Sequence, residues 1–162
     1  MTGRRLLAAL GALIVAAAAL VATAAPAAAA VGYFKLFQNQ NSGKCLEISY
    51  GATANFARAG QYWCYGGPVE QWNYDTNTGM MVNVNSGKCL EIQYSSTANF
   101  APAGQYDCHG GANQKWYFLS NGSIVNRNSG KCLEVAYSST ADFAPVGQYD
   151  CHGGPNQKWW WS

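Results

Sequence analysis

Three carboxylates in this chain sit two residues after a cysteine: Glu47 after Cys45, Glu91 after Cys89 and Glu134 after Cys132. Three tyrosines sit two residues before one: Tyr62 before Cys64, Tyr106 before Cys108 and Tyr149 before Cys151. A carboxylate accepts hydrogen bonds from two neighbouring hydroxyls at once, and an aromatic ring covers a flat face of C–H groups. Asn113-Gln114 and Asn156-Gln157 add amides, which donate and accept. His109 and His152 directly follow a cysteine, but neither a CxxC nor a paired-His motif is present, so a zinc site is excluded on spacing. Glycosidic hydrolysis needs two carboxyls roughly 5–10 Å apart, and the available pairs are Glu91 with Asp107 and Glu134 with Asp150. Asp107 has the parity opposite to Tyr106 and should face away from it, and Trp63 stands at the equivalent place in the first repeat. No Ser-His-Asp or Cys-His arrangement is available either. Catalysis is not expected, and no cofactor or metal is called for.

These residues belong to a unit that occurs three times, at Asn41–Trp72, Asn85–Trp116 and Asn128–Trp159. The first cysteines fall at 45, 89 and 132, a period of 44 and then 43 residues. Such a period marks related units that bury their apolar faces against one another. Repeat boundaries near 31–76, 77–120 and 121–162 follow. The two cysteines of each repeat are always 19 residues apart. Six cysteines allow 15 connectivities, and the repeat makes Cys45–Cys64, Cys89–Cys108 and Cys132–Cys151 the simplest. Each bridge, closing a loop of that length, contributes on the order of 3 kcal/mol in the chain-entropy model.

The elements that must position these side chains are short strands. Cys-Leu-Glu-Ile at 45–48 and 89–92, and Cys-Leu-Glu-Val at 132–135, alternate: Leu and Ile or Val point inward, Cys and Glu outward. The bridge from Cys89 to Cys108 then brings Glu91 and Tyr106 together across fifteen residues of sequence. Asn-Ser-Gly-Lys before each first cysteine predicts a tight hairpin turn, fed by strands near 33–39, 80–84 and 123–127. The Ala-Asn-Phe-Ala and Ala-Asp-Phe-Ala linkers at 54–57, 98–101 and 141–144 predict a long loop with a buried Phe. A last strand lies around each of Trp72, Trp116 and Trp159, which read as core. Four strands per repeat, about twelve in all, with no helical stretch of ten residues, predict an all-β threefold barrel.

Ahead of the repeats, Arg4-Arg5, an apolar run from Leu6 to Ala22 and small residues to Ala30 describe a secretory signal peptide over residues 1–30. Residues 31–162 are then a single secreted domain whose disulfides persist in an oxidising environment. Without Arg4 and Arg5, eight Lys and Arg face eight Asp and Glu. A neutral, aromatic-rich domain with no basic cluster argues against nucleic acid and against an anionic membrane. Membrane insertion is not expected, since no basic stop-transfer flank follows the apolar run.

The trio Gly-Lys-Cys-Leu-Glu-Ile/Val, Gln-Tyr-Asp-Cys and Asn-Gln-x-Trp resembles the ricin B-chain type lectins, across essentially the whole of residues 31–162. The resemblance implies a β-trefoil with a shallow sugar pocket on each lobe. It places the family's acidic ligand on Glu47, Glu91 and Glu134, its stacking aromatic on Tyr62, Tyr106 and Tyr149, and its polar Asn on Asn113 and Asn156. Gln114 and Gln157 of the Gln-x-Trp, and His109 and His152 in the turn at the pocket rim, are counted with them as sugar-binding residues. Many relatives carry Asp in place of these Glu. A Gln of ricin-like sites is Gly60, Gly104 and Gly147 here, with Gln61, Gln105 and Gln148 one place later on the inward parity. The first repeat departs most, with Trp63, Tyr65, Val69 and Glu70 where the others carry Asp, His, Asn and Gln.

The function so implied is a multivalent, monomeric secreted lectin for a polysaccharide or glycan of galactose, xylan or mannose type. The second and third sites rank above the first. The chain stops three residues past Trp159, so no attached catalytic domain is expected. A β-trefoil inhibitor or adhesion module with vestigial sugar pockets is the alternative; it predicts binding that is indifferent to Glu134 and Tyr149.

Overall fold

A computed structural model describes residues 34–162; the expected signal peptide lies outside them. The described chain carries twelve strands. In the first repeat they are β1 (Phe37–Asn39), β2 (Cys45–Ile48), β3 (Ala59–Tyr62) and β4 (Trp72–Asp75). The second holds β5 (Met80–Asn83), β6 (Cys89–Ile92), β7 (Ala103–Tyr106) and β8 (Trp116–Phe118). The third holds β9 (Ile124–Asn126), β10 (Cys132–Val135), β11 (Val146–Tyr149) and β12 (Trp159–Trp161). They form three antiparallel sheets, β12-β1-β2-β3, β4-β5-β6-β7 and β8-β9-β10-β11. Each sheet therefore takes its first strand from the preceding repeat, and β12 closes the ring on β1, with Phe37 opposite Trp161 and Asn39 opposite Trp159. This is a β-trefoil.

Local chemistry fixes the strand ends. In the Asn-Ser-Gly-Lys turns, Gly43, Gly87 and Gly130 take φ of +69°, +69° and +70°, a region that costs other L-residues. Their amides donate back to Asn39, Asn83 and Asn126 across the turn. Beyond β2, β6 and β10 the chain makes a single helical turn whose central residue, Tyr50, Tyr94 or Tyr137, also has positive φ.

The core gathers the inward positions of all three repeats: Leu46, Leu90 and Leu133, Ile48, Ile92 and Val135, and the three late tryptophans, none more than 1% exposed. Each indole N–H donates to the carbonyl of the same repeat's leucine, Trp72 to Leu46, Trp116 to Leu90 and Trp159 to Leu133, at 3.0 Å. The bond satisfies the one polar atom of a large buried ring. Aromatics from all three repeats cluster around Phe118, which lies 5.3 Å from Phe37, 4.2 Å from Tyr74 and 5.4 Å from Trp161 between ring centroids. The three disulfides join the expected partners.

Two expectations are corrected. The face of β2, β6 and β10 that carries Cys and Glu does not meet solvent: Glu47, Glu91 and Glu134 are each only 3% exposed. The loop after each second cysteine folds back over that face, so alternation gave the direction of the side chain but not what covers it. The loop phenylalanines are not buried. Phe56, Phe100 and Phe143 are exposed, held at φ of +65°, +64° and +58°.

Candidate functional site

In the second repeat, β6 and β7 pair with Glu91 opposite Gly104 and Cys89 opposite Tyr106. The register sets the Glu91 carboxylate beside the Tyr106 ring. The loop after β7 supplies the rest, because the Cys89–Cys108 bridge pins its start and Trp116 pins its end. Gln114 is completely buried and uses its whole amide. Its oxygen accepts from the His109 and Gly110 amides at 2.9 and 3.1 Å, and its nitrogen donates to Asp107 O at 3.0 Å and to Glu91 Oε2 at 3.2 Å. With every bond made, Gln114 shapes the loop and has none left for a ligand.

Asn113 Nδ2 donates to the same Glu91 Oε2 at 3.1 Å and to Ile92 O, and His109 Nε2 stands 3.5 Å from that oxygen. His109 Nδ1 meanwhile accepts from the Gly111 amide, which ties the ring to its own turn. All the donors therefore converge on one carboxylate oxygen of Glu91. The other, Oε1, and Asn113 Oδ1 receive no hydrogen bond among the described residues. Glu91, Tyr106, His109 and Asn113 line a hollow of about 160 Å³ whose far wall is Phe56, Tyr94 and Ser95.

Phe56 comes from the preceding repeat. The inward Gln105 is what seats it: its amide donates to Ala52 O and Ala54 O, its oxygen accepts from Ser86, and the Phe56 amide donates to Gln105 O. Gly104 is required by the same contact, since a Cβ there would stand 2.6 Å from Ala57 O. This is why the ricin-like Gln position holds glycine here. Phe56 stacks on Tyr94 at 5.0 Å and leans on Tyr106 at 4.8 Å. Both rings of the stacked pair are carried at positive φ, a cost of order 1 kcal/mol or more each that a surface aromatic would not incur for packing alone.

The third repeat reproduces the arrangement. Glu134 Oε2 meets Asn156 Nδ2 at 3.3 Å, Gln157 Nε2 at 3.1 Å and His152 Nε2 at 3.4 Å. Glu134, Tyr149, His152 and Asn156 face Phe100, Tyr137 and Ser138 around another hollow of about 160 Å³. In both repeats the second carboxylate stays outside this lining, as parity predicts. Asp107 pairs with Lys88 and accepts from Asn55, and Asp150 does the same with Lys131 and Asn99. These hydrogen bonds hold both carboxyls below their ordinary range.

The first repeat differs. Val69 and Glu70 replace the two amides, so among the described residues nothing donates to Glu47, and Oε1 of both Glu47 and Glu70 is buried without a partner. Burial, then the neighbouring Glu70 and Asp142, push the Glu47 carboxyl up to about 7. Burial also raises Glu70, against the lowering effect of the Gly66 and Tyr65 amides it accepts from. Phe143 stacks flat on both Tyr50 and Tyr62, at 4.6 and 4.8 Å with ring planes about 20° apart, where Phe56 and Phe100 lie tilted on Tyr106 and Tyr149. Lys44, with Trp63 where Asp107 and Asp150 stand, pairs instead with Asp142 of the third repeat.

The sequence reading missed the walls formed by Phe56 with Tyr94 and by Phe100 with Tyr137, and it missed Asn83 and Asn126. Asn126 Nδ2 donates to Asn113 O at 2.9 Å, so the third repeat holds the second repeat's pocket asparagine in place. The signal was present as Asn-x-Asn-Ser-Gly-Lys before every first cysteine. A larger hollow of about 310 Å³ beside Leu119 and Trp159–Trp161 brings no carboxylate with it. Among the described residues no three metal-ligating side chains gather.

Residues 33–162 match the family described as the ricin-type beta-trefoil lectin domain. The chain belongs to the ricin-type β-trefoil lectin family. It is 37% identical to a designed threefold-symmetric protein, ThreeFoil, with a TM-score of 0.75, covering 79% of this chain and 96% of that one. It is 32% identical to part of an exo-β-1,3-galactanase from Clostridium thermocellum, with a TM-score of 0.72 over 79% of this chain and 29% of the galactanase. The C-terminal half of an earthworm R-type lectin, solved with GalNAc, shares the fold at 19% identity, with a TM-score of 0.65 over 80% of this chain and 97% of that one. A comparison with curated proteins gives no match.

Proposed function

We propose that this trefoil is a secreted, non-catalytic lectin that binds a polysaccharide or glycan through its second and third repeats. The supporting observation is the twice-built pocket. One oxygen of Glu91 or Glu134 is held by surrounding donors, while the other oxygen and the Asn113 or Asn156 Oδ1 are left without protein partners among the described residues, beside a half-buried tyrosine. That set accepts hydrogen bonds from adjacent hydroxyls while Tyr106 or Tyr149 covers the C–H face of a pyranose. The family membership and the GalNAc-bound relative support the same reading. Each pocket is shallow, and single-site affinity around millimolar, roughly −4 kcal/mol, is expected. The first repeat, where Val69 and Glu70 replace the pocket amides and the Glu47 carboxylate has no donor among the described residues, is assigned no sugar.

The test is a glycan array with polysaccharide pull-down on oxidised residues 31–162, beside a Tyr106→Ala/Tyr149→Ala variant. The parent is expected to bind and the folded variant to lose binding. Binding that survives in the variant would overturn the assignment of these pockets.

A further inference from the structure

The three repeats differ at the residue that follows the Ile or Val of β2, β6 and β10: Ser49, Gln93 and Ala136. In the second repeat the buried Gln93 amide sits over Gly104 and donates to Phe56 O at 2.9 Å. In the first, Ser49 Oγ lies over Gly60. In the third, Ala136 leaves that space open as a hollow of about 130 Å³. Phe100, Glu134 and Tyr137 line both this hollow and the third sugar pocket, so the stacked Phe100–Tyr137 pair has a cavity on each side. The new hollow runs toward the place where the repeats meet, and Arg58, Pro102 and Pro145, which are repeat-equivalent, all border it.

Arg58 is the odd member of that trio. Its side chain is exposed, and among the described residues its guanidinium makes no hydrogen bond and no ion pair. Phe100 O, the counterpart of the carbonyl that Gln93 satisfies, receives no side-chain donor. The cavity thus offers an acceptor, an aromatic wall and an unpaired cation that presents two N–H groups side by side.

We propose that the third site extends across the Phe100–Tyr137 wall into this cavity and there takes an acidic substituent of a sugar chain, a uronate or a sulfate ester, on Arg58. The inference rests on the lectin reading of the third pocket, which holds the neighbouring sugar. The second repeat lacks the extension because Gln93 fills it, so the two working pockets differ in what they accept.

Two variants copy residues that the sister repeats already carry, Arg58→Pro and Ala136→Gln. Retention of the parent and of both variants is measured on glucuronoxylan against its carboxyl-reduced form, and on a sulfated galactan against its desulfated form. Thermal unfolding checks that the variants fold. The parent is expected to favour the acidic polymer of at least one pair by about tenfold, and the preference shrinks as salt screens the charge. Both variants should lose the preference and keep the affinity for the neutral polymer. No preference in either pair, or one that persists in both folded variants, overturns the proposal and leaves the lectin reading untouched. Failure of every polymer to bind overturns both; Arg58-dependent binding of the acidic polymer alone sustains this one.

Discussion

Glu70 stands where Gln114 and Gln157 stand in the other repeats, and in that exchange a donor to Glu47 becomes a like charge. Protonation of Glu47 removes the like-charge repulsion and lowers the cost of its burial. The folded Glu47 carboxyl lies near 7 against an unfolded value near 4.5. The folded state therefore binds the proton more tightly, and this pair's contribution is complete below pH 4.5 and lost as pH rises through 7. Burial is the largest cause of the shift and remains, so Glu70→Gln should reduce that loss and stabilise the protein at pH 8 by about 1 kcal/mol after allowing for solvent screening. Urea denaturation at pH 5 and pH 8 reads the effect; an unchanged difference between the two pH values in the variant would contradict it. Comparison of the repeats made the odd chemistry of Val69 and Glu70 legible at once. The Phe56 and Phe100 walls were not legible, because an exposed aromatic in a left-handed backbone conformation runs against the rule that large rings go inward.

At the scale of elements, the alternating Cys-Leu-Glu-Ile segments gave the strands and their inward leucines correctly, because a period of two is written directly into the side chains. What covers the opposite face is settled by a loop that folds back under its own Gln114 or Gln157, and periodicity carries no trace of that. The supporting Asn126 belongs to this scale: it sits at the end of β9 and fixes the loop of the preceding repeat through Asn113 O. Asn126→Ala should cost about 1–3 kcal/mol, the penalty for leaving a buried acceptor unpaired. It should also weaken sugar binding at the second pocket more than at the third, whose Asn156 is held by Asn39. Chemical shifts of Tyr106 and Tyr149 during a sugar titration separate the two; equal weakening would show that the loss is only one of global stability.

For the whole molecule, the 44- and 43-residue period disclosed threefold architecture, while the assignment of each Trp strand to its neighbour's sheet lay in strand register, which a period does not contain. Two pockets on one rigid body imply that loss of one changes polymer binding far more than monosaccharide binding. Tyr149→Ala should leave the monosaccharide affinity of the second pocket intact while retention on a polysaccharide falls by one to two orders of magnitude. A fall no larger than twofold would mean that the pockets do not engage one chain or surface together.

The borrowed strand has a further consequence. A lone repeat would carry a tryptophan strand with nowhere to dock and an empty edge awaiting someone else's. Three separate copies could satisfy one another in a ring, each handing its strand to the next as β4, β8 and β12 are handed on here. The geometry thus admits an ancestor that was a short self-assembling peptide. Joined in one chain, each lobe is free to differ alone: the first carries Val69 and Glu70 where the others carry amides, and the third carries Ala136 where the second carries Gln93.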